Sequence, residues 1–186
     1  MTDADSEWRR VSSARSPVIL MAAHVANLRL MADNEVPMWL TRLAVPMGWR
    51  VGRYNGLAAA PWRVAVTGPH DDGGWDGCET ITVYMFDGVI PLHALDADAD
   101  VALRDLDAAD ITTTVLYSDH SGAVVRSSGY LAAGGVWIRA LHSYFATEGM
   151  LIHQSIYVDV RADAALSPGV EQLSREVRSA FDSRSL

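Results

Sequence analysis

Two histidines in the last third of the sequence have a spacing that would suit shared proton or metal chemistry. His142 and His153 flank the turn-forming residues 146–149. If these four residues form a hairpin loop, Phe145 faces Met150 and the two imidazoles lie directly opposite each other. Directly opposed residues have Cβ atoms about 5 Å apart, close enough to share a proton or a metal ion.

The residues around this pair limit its chemistry. The sequence places no carboxylate and no third histidine beside it to complete a tetrahedral metal site. We therefore prefer a hydrogen-bonded structural pair, and we expect no metal and no cofactor. The alternative is a small α+β pocket enzyme of the NTF-two-like kind, in which Asp159 and His142 or His153 act as general acid and base. That alternative requires these side chains to converge inside a closed cavity.

Two further segments imitate known sites. The acidic residues of segment 96–107 are spaced like a calcium loop, but Val101 stands where the EF-hand turn requires glycine. Segment 118–122 contains the residue types of a catalytic triad, although neighbours within one turn cannot align as nucleophile, base and orienting group. We interpret the first segment as a helix start and the second as a hairpin turn.

Aromatic side chains are the better candidates for binding. Trp75 lies between Gly74 and Asp76 in a long loop, where an indole is hard to bury, so we expect it to contact a ligand or partner. Trp137, within a predicted strand, is expected in the core. The remaining candidate contact residues are Trp49, Trp62, Tyr54, His142 and His153.

Composition is typical of one soluble globular domain. The chain has 186 residues, of which 49% are hydrophobic and 20% charged. Its net charge of −8 argues against nucleic-acid binding. All cationic side chains other than histidine are arginines, so Schiff-base chemistry and a P-loop lysine are excluded. The single cysteine, Cys78, has acidic neighbours that raise a thiol pKa, and we interpret it as structural.

The N-terminal region is predicted as a disordered tail over residues 1–15 and a helix over residues 16–36. The apolar part of this helix, residues 17–32, contains His24, Asn27 and Arg29 and is too short to span a membrane. Its apolar excess predicts coverage by the rest of the domain or by a second subunit in a homodimer. We expect a cytoplasmic protein.

Residues 37–183 are predicted to form a single α+β domain. An antiparallel sheet is covered by a C-terminal amphipathic helix, in which Ser167 is the expected N-cap. The predicted strands are a short strand over 38–45, a hairpin of 62–67 with 79–86, and a four-strand meander over 112–117, 123–131, 136–145 and 150–160. The predicted helices cover 98–109 and 168–181.

This order of elements, with the turn Val45-Pro46-Met47-Gly48-Trp49, resembles the PsbP-like fold and is most similar to the LpqN-type family (LpqN/LpqT) of actinobacteria. The resemblance covers roughly residues 38–183. In the turn, Pro46 stops the preceding segment, Gly48 permits a tight bend and Trp49 folds back as a core plug.

The resemblance implies a small binding or assembly module, linked to cell-envelope or secretion processes, with no shared catalytic centre. Many members are lipid-anchored. This chain lacks an N-terminal lipobox cysteine and adds the segment 17–32, which argues against an envelope anchor. The expected function is therefore non-catalytic binding of a small apolar ligand or a protein partner.

Overall fold

The structure, a computed structural model, describes residues 16–52, 61–70, 74–119 and 122–184. Within these residues, one antiparallel sheet of eight strands has the order β2-β3-β4-β8-β7-β6-β5, and β1 also pairs with β4. The strands are β1 Ala26–Leu30, β2 Arg50–Gly52, β3 Arg63–Pro69, β4 Trp75–Asp87, β5 Ala109–Asp119, β6 Gly122–Ala133, β7 Val136–Thr147 and β8 Met150–Asp159. The α-helices are α1 Pro17–Met21, α2 Met38–Thr41, α3 Leu92–Asp98, α4 Val101–Asp105 and α5 Asp163–Ser183.

The predicted α+β architecture is confirmed in its main parts. Strands β5 to β8 form the predicted meander, each pairing with the next along the chain. Strands β3 and β4 form the predicted hairpin, which joins the meander through β4 and β8. The ladders extend beyond the predicted ends, because tight turns let the strands pair almost to their last residues.

The N-terminal helix is present, but its prediction over residues 16–36 is wrong beyond its first turns. α1 ends at Met21, a 3-10 turn follows, and β1 then pairs with the second half of β4. The ladder between β3 and β4 stops at Ile81, which leaves the edge of β4 beyond that point open to another strand. Hydrogen bonding to the unpaired backbone groups of that edge stabilises residues 26–30 as a strand more than their helix propensity stabilises a helix.

Two other predicted elements differ from the structure. The segment predicted as a strand over 38–45 begins instead with α2, which places Leu40 in the core. A short apolar run does not distinguish a strand from a buried helical turn. The helix predicted over 98–109 is replaced by α3 and α4, because the chain turns helical after Pro91 and Ala109 already pairs with Tyr130.

The closing helix α5 covers one face of the sheet, here called the α5 face. Its buried residues are those predicted, Val170, Leu173, Val177 and Phe181. Each contributes about 1.5–3 kcal/mol as an upper bound. The helix begins at Asp163, so Ser167 is not its N-cap and Pro168 lies inside it.

The other face, here called the opposite face, is covered by the short helices. Met21 of α1 and Leu95 of α3 pack in one cluster with Leu151 of β8. Leu103 of α4 packs with Leu131 of β6 in a second cluster. Side chains therefore alternate along β8 between two buried layers.

The turn at residues 46–49 is built as the sequence predicted. Gly48 has a φ of 85°, a conformation that favours glycine, and Trp49 N–H donates to Pro46 O at 3.1 Å. Trp49 is 7% exposed and packs beside Val170 and Leu173. The indole thereby fixes the start of α5 against the sheet.

Candidate functional site

The turn between β7 and β8 decides how the two histidines meet. Thr147 pairs with Met150, so residues 146 and 147 continue the ladder and the turn contains two residues. His142 consequently lies opposite Ser155, and His153 lies opposite Tyr144. The prediction of directly opposed histidines is wrong, because a two-residue turn shifts the register that a four-residue loop would have set.

The imidazoles nevertheless contact each other diagonally across the two strands. Their ring centroids are 5.3 Å apart with an interplanar angle of 22°. The Nδ1 atom of His142 lies 3.1 Å from Nε2 of His153, a hydrogen bond in which one ring donates and the other accepts. Ser155 Oγ lies 3.2 Å from the first of these nitrogens and 2.9 Å from the second. The three side chains form one polar cluster on the opposite face.

Burial keeps both histidines neutral. Desolvation lowers the pKa of His142 to about 4. Desolvation, followed by repulsion from His142, lowers the pKa of His153 well below its usual value. A neutral imidazole is both donor and acceptor, which is the form that the hydrogen bond between the rings requires.

Two tyrosines enclose the histidine pair. The Tyr144 ring stacks on His153 with centroids 4.5 Å apart, and the Tyr157 ring meets His142 edge-on at 5.7 Å. Desolvation raises the pKa of Tyr144 well above its usual value. Its buried hydroxyl has no hydrogen-bond partner within the described residues. The two histidines therefore lie in a closely packed polar region of the interior.

This arrangement does not contain the acid–base pair of the enzyme alternative. Asp159 lies six residues beyond His153 on β8, about 20 Å away at the rise of a strand. Its carboxylate instead pairs with Arg161 at 2.5 Å, and these hydrogen bonds lower the pKa of Asp159 to about 2. Within the described ranges, no group of three metal-ligating side chains is present. The histidine cluster therefore has neither a carboxylate partner nor a third metal ligand among these residues.

Trp75 is 43% exposed, as the sequence predicted, but it is the first residue of β4 and pairs with Pro69, so its placement within a long loop is wrong. It borders a cleft of about 340 Å³ at the end of the sheet where β4, β7 and β8 meet. Apolar side chains line much of this cleft, among them Val136, Ile138 and Tyr157. Cys78 also lines it, and burial followed by the nearby Glu79 raises the pKa of its thiol, so the thiolate is disfavoured.

Trp137 is 56% exposed, so its prediction as a core residue is wrong. At the start of β7, the side chains on both faces of the strand are apolar, so the alternation does not show which face is buried. The sequence also does not show that α5 begins too late to cover Trp137. Val160 N–H donates to Trp137 O at 2.9 Å, so these two residues are neighbours. On the other side of Val160 lies Trp75, because Gly77 pairs with Val158 and the same register continued by two residues sets Trp75 opposite Val160. We call Trp75, Val160 and Trp137 the tryptophan patch.

The remaining predicted contact residues do not join this patch. Trp49 is buried under α5, and Trp62 packs partly buried against the α5-face core. Tyr54 lies outside the described residues. His142 and His153 are enclosed on the opposite face, where Tyr157 connects the histidine cluster to the cleft.

Among the described residues, no helix is both long enough and apolar enough to cross a membrane. The 21-residue helix α5 has the length but carries charged residues along its exposed side.

Comparison with known proteins gives likeness in structure alone. No family model and no curated protein matches the chain. LpqN of Mycobacterium tuberculosis, described as involved in cell envelope biogenesis, superimposes with a TM-score of 0.54 at 13% identity, covering 70% of this chain and 78% of that chain.

Two other solved structures are more distant. A cyanobacterial PsbP from Synechocystis sp. PCC 6803 gives a TM-score of 0.46 at 12% identity, covering 82% of this chain and 92% of that chain. A protein of Bacteroides thetaiotaomicron gives 0.37 at 12% identity, covering 62% and 37%. As the order of elements in the sequence predicted, the chain shares the fold of LpqN.

Proposed function

We propose that this chain is a non-catalytic binding or assembly module that holds a small apolar ligand or a protein partner at the tryptophan patch and its cleft. One observation carries the proposal. Trp75 and Trp137, both large aromatic residues, are 43% and 56% exposed at the same end of the sheet. Exposed tryptophans are typical of contact surfaces, since tryptophan is enriched among residues that dominate binding energy, and Trp75 also borders the apolar cleft.

The rest of the structure is compatible with this proposal. The cleft has a volume within the range of small-molecule sites, about 340 Å³. Among the reactive side chains that line the cleft, Asp159 pairs with Arg161, His70 pairs with Asp76 at 2.8 Å, and burial keeps the Cys78 thiol protonated. Binding rather than bond-breaking is therefore the function that this geometry supports best.

The fold likeness supports a biological context for such a module. LpqN is described as involved in cell envelope biogenesis. We propose a link of this chain to envelope or secretion processes on that likeness. On the sequence grounds given above, we propose that the chain acts from the cytoplasm, and cell fractionation with an antibody against the chain tests the location.

A neutral apolar dye tests the binding surface. Nile red fluorescence should rise on addition of the protein and should fall back in Trp75→Ser and Trp137→Ser, with an affinity loss of about tenfold or more. Val51→Ser is the matched control, because Val51 is 58% exposed on β2, at the far edge of the sheet. Equal dye binding by all four proteins would reject the patch as the apolar site.

A protein partner is tested in the same variants. Crosslinking in cell extract should give adducts with the wild-type chain that disappear in Trp75→Ser and persist in Val51→Ser. Point variants are preferable to a deletion of residues 1–36, because Val18 and Met21 of that segment are buried in the core. Identical adduct patterns in all variants would contradict a partner at this surface.

We also propose a homodimer through residues 17–32 as the assembly form of the module. Support comes from Ile19, which is 70% exposed on α1 while its neighbours Val18 and Met21 face inward. This leaves one large apolar side chain on the helix for a second copy.

A further inference from the structure

A second cavity lies on the α5 face. It is a groove of about 440 Å³ between α5 and strands β6 and β7. Along α5, its lining residues recur at positions 167, 170, 171, 174, 175 and 178, which is one stripe of a helix. The floor of the groove is formed by Arg126 of β6 with Arg139 and Leu141 of β7.

Arginine dominates this groove, although the chain as a whole has a net charge of −8. The four arginines of the lining are Arg126, Arg139, Arg175 and Arg178, and the lining contains one acidic residue, Glu171. A concentration of guanidinium groups in an acidic protein is not explained by overall composition. It indicates a local requirement for positive charge.

Carboxylates account for two of the four charges. Arg139 pairs with Asp163 at 2.8 Å, and Arg178 pairs with Asp182 at 2.8 Å. Among the described residues, neither Arg126 nor Arg175 forms an ion pair.

Of the four arginines, Arg126 on the floor of the groove has the position that is least favourable for a positive charge. It is partly buried, and its Nε donates to Ser143 Oγ at 3.1 Å. Burial, followed by repulsion from Arg178, lowers the pKa of Arg126. Two guanidinium groups close enough to repel each other in a partly desolvated groove would both be stabilised by an anion between them.

Arg139 supplies a second, independent observation. Its Nε is buried and has no hydrogen-bond acceptor among the residues that the structure describes. A buried donor without an acceptor costs free energy, so such atoms commonly mark places where a ligand completes the hydrogen bonding. Serine hydroxyls of Ser167 and Ser174 add further donors along the same groove.

We propose that the groove between α5 and strands β6 and β7 binds a phosphate-bearing ligand, whose oxyanion lies between Arg126 and Arg178 and is also held by Arg175. The guanidinium fork matches the oxygens of phosphate, and hydroxyl donors complete the set. Leu141 and Val170 give the groove a small apolar section beside the charged one. The phosphate belongs either to a soluble metabolite or to a lipid headgroup, and the two sources share this chemistry.

Inorganic phosphate is the first probe. Thermal unfolding of the full chain is followed in sodium phosphate and in sodium chloride of equal ionic strength, and titration calorimetry gives the affinity. Phosphate should raise Tm above the chloride value, and Arg126→Gln should weaken binding by about tenfold or more. Absence of any phosphate effect on the wild-type chain would overturn the proposal.

Three more variants separate loss of binding from loss of folding. Arg175 and Glu171 are exposed, so their substitution leaves the core intact. Arg175→Gln should weaken phosphate binding severalfold, whereas Glu171→Gln should strengthen it, a gain that misfolding cannot imitate. Arg50→Gln, on exposed β2 at the other edge of the sheet, removes the same charge and should leave binding unchanged. Equal weakening by Arg50→Gln, or no gain from Glu171→Gln, would show general charge effects and contradict a built site.

Vesicles distinguish the two sources of phosphate. Cosedimentation is measured with vesicles of phosphatidylglycerol and with vesicles of phosphatidylcholine. Binding to the anionic vesicles that is lost in Arg126→Gln supports a lipid headgroup. Phosphate binding without vesicle binding supports a soluble ligand. Vesicle binding that Arg126→Gln and Arg175→Gln leave unchanged, together with no response to phosphate, overturns the proposal for both sources.

Discussion

Gly169 of α5 and Trp49 of the preceding turn approach so closely that no side chain fits between them. A Cβ atom on Gly169 would lie 2.9 Å from Trp49 Nε1. Because the indole is buried, it has little freedom to move away. The glycine inside this helix is therefore explained by packing, against its low helix propensity.

Gly169→Ala should destabilise the fold by about 1–3 kcal/mol, even though alanine is the better helix former. Urea unfolding followed by circular dichroism measures the loss. Gly52→Ala is the control, since a Cβ there meets nothing within 4 Å. In a Trp49→Phe background the penalty of Gly169→Ala should shrink, and an unchanged penalty would contradict the steric explanation.

Glu79 and Arg63 form an ion pair inside the sheet, with their atoms 2.6 Å apart and side chains 0% and 5% exposed. Glu79 also accepts a hydrogen bond from Gln154 Nε2 at 2.7 Å. Glu79→Ala should therefore cost about 3–5 kcal/mol, because it leaves the Arg63 charge buried and unpaired.

Urea unfolding also checks the Glu79 prediction. The variant to compare with Glu79→Ala is the double variant that carries Arg63→Met and Glu79→Leu. Replacement of both charges by apolar side chains should recover most of the loss. If the double variant is as unstable as Glu79→Ala, the cost lies in packing rather than in an unpaired charge.

The histidine cluster should make the fold sensitive to acid. The pKa of His142 is about 4 in the folded chain against an ordinary value of 6.5. Between these values the unfolded chain binds more protons than the folded one, so stability falls as the pH falls through this window. The loss reaches roughly 3 kcal/mol for His142, at about 1.4 kcal/mol per pH unit, and His153 adds to it in the same direction.

Free energies of unfolding measured from pH 7.5 to about 4.5 check this slope. The variant carrying His142→Gln and His153→Gln should have a shallower dependence on pH than the wild-type chain. His93→Gln, at an exposed histidine of α3, should keep the wild-type slope. An unaltered slope in the double variant would assign the acid sensitivity to other groups.

Ile19→Ser tests the homodimer. If α1 contacts a second copy, this substitution should raise the dimer dissociation constant by about tenfold, since burial of such a side chain contributes about 1.5–3 kcal/mol. Sedimentation velocity over a range of concentrations measures it, with Val89→Ser as the control because Val89 is 59% exposed elsewhere. A wild-type chain that sediments as a monomer throughout would contradict the proposal directly.

The parts of the fold that depend on local pattern could be predicted from the sequence. The meander strands and α5 carry period-2 and helical spacing over many residues, so their type and order are confirmed. Residues 26–30 form a strand because β4 extends beyond the end of its ladder with β3 and leaves an edge to pair with. This pairing joins residues far apart in the sequence, so no local pattern predicts it.

The candidate site shows the same division. Trp75 is exposed at the start of β4, directly after the glycines of the turn that are visible in the sequence. The placement of His142 against His153 depends on the length of one turn, and the exposure of Trp137 depends on where α5 begins. The arginines of the groove come from three separate elements and meet only after the helix has docked.

The pairing of β4 with β8 also bears on how the chain is made. Gln154 donates to Glu79 across 75 residues of sequence, so we expect the middle of the sheet to close late, after a costly loop closure. Within the meander, by contrast, each strand pairs with the next along the chain, so we expect these ladders to form first. During synthesis the β3–β4 hairpin leaves the ribosome long before β8 exists, and until then its apolar side is exposed to chaperones and to other nascent chains.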